Sequence, residues 1–234
     1  MNAPLITARC HPDLEPLLPR PRPARQALPD WLRAMPSEAP APTLGGAVVR
    51  TLKHCPPFLD ALSLGIMIPL AADLHFEAGV VSWDWDPPAL PDTLISRAPV
   101  GLHVPEQASG APYRLAVNSI LKFMNFWTLE APAGWSLLFT HPLNREDLPF
   151  RTLSGQVDCD LFRDGYVHFP ALWLEEGFTG TLPAGTPIAQ VIPLPRATST
   201  LDIAPMTEAQ IKANRDMQAA LGTEPGTYRK HFRH

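Results

Sequence analysis

Apolar residues along this chain fall in short runs cut by Gly, Pro or Asp. Residues 48–52 and the runs within 66–76 have this form and read as strands. Residues 80–85 read as another, because strand alternation puts Val81, Trp83 and Trp85 on one face. A further apolar run, 121–129, leads to the turn Ala131-Pro132-Ala133-Gly134. Residues 135–140 and 165–173 are strands, and Pro183-Ala184-Gly185-Thr186 is a tight turn feeding a strand over 187–192. Helical spacing is confined to three places. Residues 29–35 suit one turn, with Trp31, Leu32 and Met35 docking on the body and Pro36 ending it. Residues 56–62 suit a short helix. Over 207–221, Thr207 and Gln210 have capping-box spacing, Ile211, Asn214, Met217, Gln218 and Leu221 recur at helical intervals, and Gly222 is the expected stop. Residues 86–112 are interrupted by proline and read as a long loop with a strand near its middle. No internal repeat is visible.

Composition sharpens this pattern. Proline supplies 29 of 234 residues, against an ordinary level of about one in twenty. Each one removes a backbone donor and fixes φ, which disfavours long helices and uninterrupted central strands. The expectation is an all-β barrel or sandwich of short strands. Three parts are expected: a proline-rich arm over 1–43, extended and poorly packed, a β domain over 44–200, and a helix with a basic tail over 201–234. A formal charge of −4 and a pI near 6.0 provide no global basic field, so non-specific nucleic-acid binding is disfavoured. Cys10, Cys55 and Cys159 are odd in number and follow no leader-like start, which reads as reduced thiols in a cytoplasmic protein. The most apolar stretch, 58–74, is broken by Asp60 and Pro69 and is too short to span a bilayer, so no membrane is expected as partner.

Three short motifs carry a resemblance. They are Pro132-Ala133-Gly134-Trp135, the stretch from Gly155 through Asp158, Asp160 and Arg163 to Gly165, and Gly185-Thr186-Pro187-Ile188-Ala189-Gln190-Val191. In order and spacing they resemble the core of the trimeric dUTPase and dCTP deaminase group, over residues 132–193, about a quarter of the chain. The runs 52–61 and 122–127 are similar to a bacterial and phage family that shares this core, a resemblance that implies no activity. The dUTPase resemblance implies a distorted barrel of the β-clip type, a homotrimer with sites between subunits, a nucleotide ligand, and magnesium if triphosphates are the substrate. It would make Asp158 the base that activates water. Gln190 would meet the triphosphate, backbone groups of the Gly155 to Asp158 hairpin would read the base edge, and Asp160 is a further candidate ligand-binding residue.

The sequence departs from that pattern where the chemistry is most demanding. The Arg-Ser-Gly phosphate cradle corresponds to His141-Pro142-Leu143-Asn144-Arg145, leaving Arg145 as a displaced candidate phosphate ligand. Leu161 or Phe162 stands where a tyrosine stacks on deoxyribose, and the Gly/Ser-rich closing arm is absent. Triphosphate cleavage depends on dense donors around developing charge. The expectation is therefore a ligand-binding or assembly protein, non-catalytic or shifted in substrate. The alternative is a nucleoside triphosphate pyrophosphatase or deaminase using Asp158.

Other residue types carry paired readings. Asp158 and Asp160 are a water-activating pair or turn caps. His75 and Glu77, with His103 or His141, are metal ligands or ordinary strand residues. Cys55 beside Lys53 is an activated thiolate or a structural cysteine. Trp83, Trp85, Trp127, Trp135 and Trp173 are a stacking platform or core and subunit-contact residues. The basic, aromatic tail 228–234 clamps a phosphate or packs on a neighbouring subunit.

Overall fold

The structure, a computed structural model, describes residues 6–90, 96–113, 119–197, 199–224 and 226–232. The chain divides into two compact units, Met1–Arg196 and Ala197–His234.

The first unit begins with strands β1 (Thr7–Arg9) and β2 (Arg22–Pro23), the short helix α1 (Asp30–Ala34), and a hairpin of β3 (Glu38–Ala41) and β4 (Ala47–Arg50). Helix α2 (Pro56–Ser63) leads to β5 (Ile66–Pro69), β6 (Leu74–Glu77) and β7 (Val80–Ser82). Then come β8 (Val100–His103), β9 (Ile120–Phe123), β10 (Thr128–Glu130) and β11 (Trp135–Thr140). The last strands are β12 (Phe150–Thr152), β13 (Gly155–Val157), β14 (Phe169–Trp173), β15 (Gly180–Leu182) and β16 (Pro187–Pro195).

Three sheets build the body, with strand orders β13-β11-β16-β5-β2, β12-β14-β9-β8 and β15-β6-β7. Residues from all three, including Ile68, Phe76, Phe123, Leu137, Phe150, Trp173 and Ile188, form one buried cluster. The stretch after Pro132 does not fold as one set of interlocking hairpins: β11 pairs antiparallel with β13 and with β16, but β12 and β14 pair in the four-stranded sheet and β15 in the three-stranded one. Gly65 is required at its position. Its φ is +69°, and a Cβ there would lie 2.0 Å from the Val191 carbonyl oxygen.

The expectation of an all-β closed barrel of the dUTPase-like, β-clip type is overturned. The chain is mixed α/β, with a 16-residue helix in its second unit, and its sheets are open. The edges explain why closure fails. At one edge of the five-stranded sheet, β2 is two residues long and ends in Pro23, which has no N–H to extend a ladder. At the other, β13 stops as the chain turns, with Leu161 and Phe162 N–H both donating to the Asp158 carbonyl. The count of prolines also hid their placement: residues 208–223 contain none.

The expected loose arm is packed. Strand β1 pairs with β10 and β2 with β5. Leu14 and Leu18 are buried with Met124, Phe126 and Trp127, and Trp127 Nε1 donates to the Pro19 carbonyl. The single run read over 121–129 is two strands, β9 and β10. The Asn125 side chain interrupts it by bonding both the N–H and the carbonyl of Trp127.

In the second unit, α3 (Glu208–Thr223) has the capping box read from the sequence, and Lys212 pairs with Asp216 one turn on. It runs through Gly222 rather than stopping there. A short α4 (Thr227–His231) follows, tied back by the Thr227 hydroxyl to the Ala220 and Glu224 carbonyls. Among the described residues, no helix is long and apolar enough to cross a membrane.

Candidate functional site

Asp158 follows β13, where pairing with β11 brings it beside Ser136. The Ser136 hydroxyl donates to Asp158 Oδ1 at 2.6 Å, and Arg196 Nε lies 3.2 Å from the same oxygen. Asp160 accepts from the Gly134 N–H at 2.9 Å and forms an ion pair with Arg196. The bond from Gly134, with the Arg196 guanidinium, holds the Asp160 carboxyl below its ordinary value. One guanidinium thus serves both carboxylates. These aspartates pin the 132–134 turn to the end of β16, where Arg196 N–H also donates to the Gly134 carbonyl. Between them Cys159 is fully buried, and burial, with the two flanking carboxylates, pushes its thiol up to about 11. Gly155 lies exposed in β13, opposite Phe139.

Gln190 sits elsewhere. In β16 it pairs with Thr140, four positions along β11 from Ser136, or roughly 13 Å at about 3.3 Å per residue. Its side chain is completely buried and saturated. Oε1 accepts from the Leu143 N–H at 2.8 Å, and Nε2 donates to the carbonyls of Ala61 at 2.9 Å and Leu64 at 2.6 Å. It ties the end of α2 to the loop after β11.

Arg145 is buried and grips Asp147 with two parallel bonds, Nε to Oδ1 at 2.8 Å and Nη2 to Oδ2 at 2.9 Å. Trp31 Nε1 donates to the same Asp147 oxygen at 3.1 Å, so this pair anchors α1. Burial alone would raise the Asp147 carboxyl, but the bonds from Arg145 and Trp31 outweigh it and leave it below its ordinary value. His141 accepts from the Thr152 N–H at Nδ1, so Nε2 carries the proton offered to the Arg145 carbonyl. Burial pushes the His141 pKa down.

The structure therefore brings Asp158 and Asp160 together and places Gln190 at the far end of the same strand pair, its polar atoms spent on backbone. The other histidines are engaged separately: His75 bonds Thr181, and His103 bonds Gln107. Among the described residues, no group of three His, Cys, Asp or Glu could hold a metal ion.

Open space lies instead between β15-β6-β7 and β8-β9 with β14. A cavity of about 400 Å³ is lined there by Phe76, Val81, Leu102, Leu121, Trp173 and Phe178, with Val80, Gly79 and Gly177 at its edges. Phe76 and Trp173 stack at 4.2 Å between ring centroids and 20° between planes, and Phe178 meets both edge-on. The volume falls in the range of small-molecule sites. Among the described residues, Glu175 is the only charged group in the lining. Of the two readings of the tryptophans, the core one holds for Trp173 and Trp127, which are buried in the two main clusters, with Trp83, Trp135 and Trp85 packed against them. Phe76 and Phe178 gave no signal, because nothing local shows that residues about a hundred positions apart share a wall. Arg196 was missed for the same reason. No protein-family model and no curated protein matches this sequence.

Proposed function

We propose that this chain is a non-catalytic ligand-binding protein, and that its ligand is a small apolar ring compound, neutral or cationic, held in the cavity walled by Phe76, Trp173 and Phe178. The observation that carries the reading is that cavity: partly open, walled on one side by aromatic side chains and of ligand size. Its chemistry selects against polyphosphates. A triphosphate needs several cationic and N–H donors, whereas the charged group here is the Glu175 carboxylate, which suits an amine or hydroxyl substituent. The non-catalytic part rests on Asp158, whose carboxylate is already engaged by Ser136 and Arg196.

Titrating the protein with fluorescent or fluorescence-quenching ring compounds, proflavine and indole among them, tests this. At least one should bind with a dissociation constant below about 100 μM. Deoxynucleoside triphosphates with magnesium form the opposing arm. Turnover of any of them that disappears in Asp158→Asn would overturn the reading, as would an absence of binding across the ring panel.

A further inference from the structure

A second space, unlike the first, lies where the N-terminal arm crosses the body. It measures about 280 Å³ and is lined by Arg22, Gln26, Asp30, Arg33, Arg145 and Pro187, with 27–29 completing the wall. Three arginines from three separate elements reach it: Arg22 from β2, Arg33 from α1 and Arg145 from the loop after β11. The side chains of Arg22 and Arg33 have no hydrogen-bonding or ionic partner among the described residues. Arg145 commits Nε and Nη2 to Asp147, and its Nη1 has no bond among the described residues. The lining thus combines a buried guanidinium fixed in place by its own ion pair with two exposed arginines whose side chains have no partner among the described residues. Among the described residues, Asp30 is the one acid in the lining.

We propose that this hollow binds the phosphate group of a small phosphorylated compound. Arginine presents several N–H donors in a planar fork that matches the oxygens of a phosphate, and a fixed guanidinium loses little freedom on binding. Three such forks against two carboxylates, Asp30 in the lining and Asp147 on Arg145, still leave one net positive charge at the site in a protein whose formal charge is −4, so the attraction is local rather than global. At about 30 Å³ per water molecule the space holds roughly nine. That is more than one oxyanion fills, so there is room for the group that carries the phosphate. The sequence concealed the site because two of its arginines lie in the proline-rich arm.

The test is calorimetric titration of the full chain at low ionic strength with inorganic phosphate and, separately, glycerol phosphate. The expected result is binding of glycerol phosphate below about 1 mM, with inorganic phosphate weaker and both lost as salt rises. Arg22→Gln and Arg33→Gln should each weaken binding roughly tenfold, the loss of one charge-assisted bond. Both residues are exposed, so the thermal midpoint should hold, and Arg50→Gln on the β4 hairpin should bind as wild type. Failure of both anions to bind at about 1 mM, or affinity unchanged in Arg22→Gln and Arg33→Gln, would overturn the proposal. The hollow shares no residue with the aromatic cavity, so either site can fail without the other.

Discussion

Two parts of the first unit hold their chemistry in opposite conditions. Along β11 and β16 the polar side chains are spent: Gln190 on three backbone groups, Asp158 on Ser136 and Arg196, Asp160 on Gly134 and Arg196. Between β6 and β9 the side chains are apolar, and they border a hollow of about 400 Å³. The first region has the residue types a catalyst uses, but their polar atoms are engaged within the fold. The second has room and aromatic faces but a single charged group. Residue type proposes a site, and unspent bonding capacity together with open volume decides it.

The contrast can be broken most sharply at Gln190. Leucine there would strip the Leu143 N–H and the Leu64 carbonyl of their Gln190 bonds in a partly buried seam and leave the Ala61 carbonyl with the Leu64 N–H alone. At about 1–3 kcal/mol for an unsatisfied group, Gln190→Leu should cost about 3–5 kcal/mol in urea denaturation. A loss under about 1 kcal/mol would mean that Gln190 is not the tie described here.

A smaller effect should come with pH. Burial depresses the pKa of both His141 and His168, and each accepts a backbone N–H at Nδ1, from Thr152 and Asn125, which the protonated ring cannot do. The unfolded chain takes up these protons near about pH 6.5. Stability present above that value should fall as pH drops towards the depressed folded values, and His168→Gln should flatten the decline. Smaller again is Asp158→Asn, which breaks a surface ion pair and should cost about 1 kcal/mol or less. The least costly probe is Cys159. Buried and with its thiol pushed up to about 11, it should resist iodoacetamide in the native protein at pH values well below that, and react only on unfolding.

Much of the local structure was legible in the sequence. The capping box at Thr207 and Gln210, the α2 segment, and the strands at 135–140 and 187–192 follow from periodicity and turn chemistry that act within a few residues. The return of the chain after Pro132 was legible only in part: β13 and β16 flank β11, while β12, β14 and β15 leave for the other two sheets. The global arrangement was not. Whether sheets close depends on edges such as Pro23 and the turn at Asp158, and short motifs shared with a closed fold say nothing about edges. The arm was misread because composition registers prolines, not the burial of Leu14 and Leu18 between them. The candidate residues were placed by type. Their partners, Arg196 for the aspartates and Ala61, Leu64 and Leu143 for Gln190, lie far away in sequence and meet them only through sheet register.

The most direct measurement is a side-by-side titration of wild type, Leu102→Trp and Asp158→Asn with the tightest ring compound found. Leu102 lies at the cavity and is 58% exposed, so a tryptophan there can fill the space without straining the core. The account predicts that Leu102→Trp weakens binding by about tenfold or more, the scale of losing one well-packed aromatic contact, while Asp158→Asn binds as wild type. Binding abolished by Asp158→Asn and untouched by Leu102→Trp would contradict it.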